Sequence, residues 1–125
     1  MTTPTKHILS VDDEEIIREM LGELLEIHGY RVTGVATPSA ALKVARNDPP
    51  DLVITDLQLE ESDGLQLVDQ LSKIIPDVPV VLLTGILFDS KTVDQSLSHK
   101  ISAYLSKTAP LSELTAEIHR LLKNG

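Results

Sequence analysis

The chain has 125 residues, 42% of them apolar and 24% charged, which suits one domain with a continuous core. Its lack of cysteine excludes disulfides and thiolate metal sites and fits a reducing cytoplasm, the expected location. A net charge of −8, with only 11 Lys and Arg spread along the length, argues against direct nucleic-acid binding and favours a protein partner.

Met1 to Lys6 lead into no long apolar stretch, so the start is not a secretory signal, and no run reaches the length of a membrane span. His7 to Val11 reads as a buried strand, followed by Asp12 and Asp13. Ile16, Ile17, Met20, Leu21, Leu24 and Leu25 then recur at helical spacing. Asp12 with Glu15 predicts a capping-box-like helix start, and Gly29 predicts its stop. Arg31 to Ala36 is a second strand. Thr37-Pro38 opens a second helix carrying Ala41, Leu42 and Ala45, and Asn47 to Pro50 break it.

The third strand, Leu52 to Thr55, ends at Asp56. Ser62-Asp63-Gly64 is a turn before a helix with Leu67, Val68, Leu71 and Ile74. Val80 to Leu83 form a fourth strand that ends in the hydroxyl of Thr84. A weaker fourth helix spans Ser90 to Ser98, anchored by Val93 and Leu97. Ala103 to Ser106 is the fifth strand, ending at Lys107, and the fifth helix carries Leu111, Leu114, Ile118, Leu121 and Leu122. Five alternating units of this kind imply an α/β fold, a doubly wound parallel sheet with five helices on its two faces. We expect a single domain over residues 1–125 with no output domain.

Strand carboxyl ends form the crevice where open α/β sheets bind ligands. If the strands lie side by side, Asp12, Asp13, Asp56, Thr84 and Lys107 converge there. Singly, each has a plainer role: the acid pair as a helix cap, Asp56 as a turn former, Thr84 as turn chemistry, Lys107 as a solvated charge. Crowded carboxylates repel unless a proton or cation intervenes. A hard divalent ion such as Mg2+ suits them, taking one or two carboxylates and leaving room for phosphate oxygens. With no cysteine and no His pair at ligand spacing, zinc is a poor fit. Asp56 can then act as a carboxylate nucleophile toward phosphorus, with Lys107 and the Thr84 hydroxyl on the phosphoryl oxygens.

As an ordered set, Ser10-Val11-Asp12-Asp13-Glu14, Val53-Ile54-Thr55-Asp56-Leu57, Asp63-Gly64, Val81-Leu82-Leu83-Thr84-Gly85 and Ala103-Tyr104-Leu105-Ser106-Lys107 resemble the receiver domain of two-component response regulators. The resemblance runs from about His7 to about Leu122 and is nearest the stand-alone, chemotaxis-regulator-like type. It implies a flavodoxin-like sheet of order 2-1-3-4-5 and a phosphoacceptor at Asp56, charged by a histidine kinase or histidine phosphotransfer protein. It also implies Mg2+ on Asp13, Asp56 and the backbone carbonyl of Gln58, with Asp12 helping through water. Thr84 and Lys107 would bind the phosphoryl group, and Thr84 and Tyr104 would form the switch. That switch would remodel a partner-binding face made by the fourth helix, fifth strand and fifth helix. Gln58 and Ile86 would flank the phosphoryl group and tune its lifetime, the bulk of Ile86 hindering attacking water.

Two departures stand out. Thr108 follows Lys107 where the family usually has proline, which leaves the isomer of that bond open, and Glu60 replaces another common proline. The four histidines, His7, His28, His99 and His119, fall at strand starts, helix ends and surfaces, and nothing favours a phosphohistidine among them. An aspartyl-phosphate phosphatase would want an acid where Gln58 stands, and no Gly-x-Gly-x-x-Gly or Walker lysine is present for nucleotide. The expected protein is therefore a phosphoacceptor rather than an enzyme acting on separate substrates. The alternative is a phosphorylation-independent interaction module on the same fold.

Overall fold

Apolar side chains on every position of a short strand demand cover on both faces, and the architecture supplies it. The computed structural model describes residues 5–56, 59, 64–85 and 101–123. In chain order these form β1 (His7–Val11), α1 (Glu15–Ile27), β2 (Arg31–Val35), α2 (Pro38–Asn47), β3 (Leu52–Thr55), α3 (Gly64–Ile74), β4 (Val80–Thr84), β5 (Ala103–Ser106) and α4 (Leu111–Lys123). The last of these is the fifth predicted helix. The predicted helix from Ser90 to Ser98 lies outside the described residues. The five strands make one parallel sheet in the order β2-β1-β3-β4-β5.

Consecutive residues of one strand feed opposite cores. Ile8 joins Leu21 and Leu25 of α1 and Leu114, Ile118 and Leu122 of α4. Its neighbour Leu9 joins Ala41 and Ala45 of α2 and Leu67, Val68 and Leu71 of α3. Burying each large aliphatic side chain stabilises the fold by about 1.5–3 kcal/mol. Register pairs Ile8 with Leu52 and Val53 with Val80, so β1 and β3 end at one level and β4 runs two residues further. Ile16 stands apart from its predicted stripe: it is 78% exposed, at the carboxyl-end rim of the sheet.

The helix termini mostly follow the sequence reading. Gly29 takes φ 93, a left-handed conformation that glycine adopts without penalty, just past α1. Thr37 caps α2, its hydroxyl accepting the Ala40 N–H at 3.2 Å with Pro38 at the first helical position. Thr37→Ala is expected to lower stability by about 1 kcal/mol. Urea unfolding checks this: the midpoint should fall while the slope stays unchanged.

The predicted Asp12–Glu15 capping box is not formed. Asp12 is still part of the sheet, its N–H donating to the Val35 carbonyl at 3.1 Å, and α1 starts only at Glu15 behind Glu14. In a capping box the Glu15 carboxylate would accept the Asp12 N–H, and the sheet already holds that group.

Candidate functional site

Two backbone hydrogen bonds place the central acids. Asp12 N–H donates to Val35 O and Asp56 N–H to Val11 O at 3.0 Å, so both residues extend the ladder one step past their strands. Because β1 and β3 are neighbours, their carboxylates meet over the sheet's carboxyl edge. Carboxylate oxygens of Asp12, Asp13, Glu14 and Asp56 lie within 4.8 Å of one another, with Asp12 and Asp56 buried and the other two exposed.

Lys107 reaches this cluster from the far side of β4. Neighbouring strands sit about 4.8 Å apart, a span that the long lysine stem can cross and a shorter cationic side chain could not. Its Nζ lies 2.9 Å from Asp12 Oδ2 and 2.9 Å from Asp56 Oδ2, and it also pairs with Glu14 Oε2. Burial by itself would push the Lys107 ammonium below its ordinary value, but hydrogen bonds to Asp56, Glu14 and Asp12 outweigh it and hold the group well above. Burial pushes the Asp12 carboxyl up, and the Glu14 N–H and Lys107 only partly offset that. Four carboxylates face one ammonium, so the cluster retains unneutralised negative charge.

The donor set fits a hard divalent ion. All of its side-chain ligands are carboxylate oxygens, the ligand type Mg2+ takes, and they lie within 4.8 Å of one another. A buried acid held uncomfortably in its charged form is the group such an ion would relieve.

Three contacts were not legible from spacing. Glu14 pairs with Lys107, and only its adjacency to the acid pair hinted at a role. Arg18 donates to the Asp12 carbonyl at 2.7 Å, steadying the turn that carries the acids. Its stem lies over Gly34, where an added Cβ would meet Arg18 Cβ at 3.6 Å. After Lys107, Ser106 Oγ accepts the Thr108 N–H at 3.1 Å and its carbonyl accepts the Ala109 N–H at 3.0 Å. These bonds shape the turn without a proline next to the lysine, and every peptide bond among the described residues is trans, that between Lys107 and Thr108 included.

Tyr104 is half-buried on β5. The side chain of Thr84, together with Gln58 and Ile86, lies outside the described residues. Among the histidines, His7 stands at a strand start, as expected, and is buried there. It is 2% exposed at the amino end of β1, with Nε2 2.7 Å from Thr33 Oγ1. His28 closes α1, and His119 on α4 bonds Tyr30 at 2.8 Å. His99 lies outside the described residues. No described helix is long and apolar enough to cross a membrane.

Residues 8–119 match the response regulator receiver domain family. The regulatory protein VirG of Agrobacterium tumefaciens is 31% identical over 120 residues, which cover 96% of this chain and 45% of VirG. Response regulator MprA of Mycobacterium leprae is 34% identical over 116 residues, covering 93% of this chain and 50% of MprA. The chain thus spans about half the length of these curated relatives. A CheY-like receiver domain protein from Methanospirillum hungatei JF-1 superposes with a TM-score of 0.89 at 28% identity, covering 97% of this chain and 96% of its own. The non-phosphorylated HemR receiver domain from Leptospira biflexa gives 0.84 at 29% identity, covering 94% of each.

Proposed function

The chain belongs to the response regulator receiver domain family, and we propose that Asp56 is its phosphoacceptor in a two-component phosphorelay. The observation that carries this is the Lys107 ammonium, 2.9 Å from both Asp12 and Asp56 at the sheet's carboxyl edge. In the proposed reaction a carboxylate oxygen of Asp56 attacks phosphorus. The bond from phosphorus to the donor imidazole nitrogen breaks, and its electron pair stays with that nitrogen. The donor is a phosphohistidine of a histidine kinase or phosphotransfer protein.

Lys107 neutralises charge that builds on the phosphoryl oxygens, a role worth most in a partly dry site. Thr84 would hydrogen-bond another of those oxygens. Mg2+, held by Asp13, Asp56 and the Gln58 carbonyl with Asp12 through water, would supply further positive charge between the anionic acceptor and the anionic donor. Arg18 keeps the Asp12 carbonyl, and with it the acid turn, in place.

The product adds strong acceptors and charge to a loop region, which biases a two-state element. Thr84 and Tyr104 are the proposed switch, read out on a protein-binding face formed by residues 90–98, β5 and α4. Gln58 and Ile86 are proposed to set how long the acyl phosphate survives. The chain then has no turnover of its own beyond accepting and losing a phosphoryl group, and it acts in the cytoplasm, where such kinases present their phosphohistidine. Nucleic acid and membrane are not among the proposed partners of this domain.

Incubation with acetyl phosphate and Mg2+, followed by intact-mass analysis, tests this. One phosphoryl adduct that disappears when EDTA replaces Mg2+ is expected. A folded chain that takes no adduct at saturating Mg2+ would instead leave a phosphorylation-independent interaction module.

A further inference from the structure

The Lys107 ammonium has three N–H donors, and three carboxylates surround it: Asp12 Oδ2 and Asp56 Oδ2, both at 2.9 Å, and Glu14 Oε2, the nearest. A phosphoryl oxygen arriving at Asp56 can bond this ammonium only by displacing one of them. The Asp12 and Asp56 side chains are 3% and 8% exposed, so leaving Lys107 would strand a buried charge, and Asp56 is the reacting group. Glu14 differs. Its side chain is 59% exposed, so water can take over the carboxylate's hydrogen bonds once it lets go. Its backbone need not follow, because Asp12 Oδ1 accepts the Glu14 N–H at 2.9 Å and pins it at the start of α1.

We infer that Glu14 is a displaceable competitor for Lys107, an autoinhibitory contact that holds the ammonium in the unphosphorylated chain and must release it for phosphoryl transfer. The inference rests on Asp56 as the acceptor. Glu14 acts through Lys107 as a positioning residue. Its ion pair lowers the energy of the resting site and is absent when the phosphoryl group is engaged, so it raises the barrier to transfer.

Glu14→Gln keeps the size of the side chain and removes the charge. Glu15→Gln makes the same charge change one residue on, at an exposed position that forms no ion pair with Lys107. With acetyl phosphate at saturating Mg2+, the initial rate of adduct formation should rise about two- to fivefold in Glu14→Gln, the span set by breaking a half-exposed ion pair. Glu15→Gln should match wild type. Calorimetric titration of the metal-free proteins with Mg2+ should give the two variants the same affinity.

Equal rates in the two variants would mean that only general repulsion of the anionic donor is at work, and would overturn the inference. So would a slower Glu14→Gln whose Mg2+ affinity is about tenfold or more weaker, the loss typical of a removed ligand or its support. Wild-type chain that takes the adduct while the variants behave alike sinks only this inference. Wild-type chain that takes none sinks the Asp56 assignment with it.

Discussion

Asp56→Asn is expected to take no phosphoryl adduct at all under conditions that label the wild-type chain, while unfolding at a higher temperature in EDTA. The loss follows from chemistry, since an amide cannot form the acyl phosphate. The gain follows from the site's charge. Asn occupies the same volume but removes one of four crowded carboxylates, and Lys107 keeps Asp12 and Glu14 as partners. Taking one charge from four carboxylates that share a single ammonium relieves their mutual repulsion, by about 1–2 kcal/mol. At roughly 4 °C per kcal/mol for a domain of this size, the shift is easily read by calorimetry. Wild type should gain about 2.7 kcal/mol from Mg2+ at a hundred times its Kd, and Asp56→Asn should lose most of that gain. An Asp56→Asn chain that labels at the wild-type rate would move the acceptor elsewhere.

Lys107→Met should slow adduct formation by about 100- to 1000-fold, the usual effect of removing one charge-stabilising group from a reacting site. It should also lower stability in EDTA by about 3 kcal/mol, because it leaves buried carboxylates without their cation. The lysine side chain is 12% exposed, which keeps water from standing in for it. Mg2+ supplies positive charge to the same acids, so it should return part of the lost stability without returning the rate. Lys107→Arg should rescue little, since a planar guanidinium cannot direct donors to carboxylates on three sides as an ammonium does. The measurement is Tm in EDTA and in Mg2+ beside a labelling time course. A stability deficit that Mg2+ leaves unchanged would show that the metal and Lys107 do not serve the same charges.

The elements themselves were readable because their signals are local. Leu52-Val53-Ile54 followed by β-branched Thr55 has the composition and length of a strand, and it forms one with all four residues buried. Thr37-Pro38 caps and opens a helix through bonds spanning three residues, and it does so here. The acid pair misled for the same reason. Asp12, Glu15 and the apolar run after them match a helix start locally, yet the Asp12 N–H goes to Val35 on a neighbouring strand. A hydrogen bond between residues so far apart in the chain leaves no periodic trace.

The order of chemistry-bearing residues was likewise a property of the sequence: an acid after the first strand, another after the third, a lysine after the fifth. Parallel strands covered on both faces then oblige those residues to share one edge of the sheet. How they share it was decided by tertiary structure. The strand order puts β3 beside β1 and lets Lys107 reach across β4, so one ammonium serves Asp12 and Asp56 together with Glu14. Arg18 of α1 reaches the Asp12 carbonyl with its stem packed over Gly34 on another strand. Strand and helix formation depend on neighbours a few residues away, whereas charge pairing depends on distances set by the packed sheet, and those distances appear only once both cores have closed.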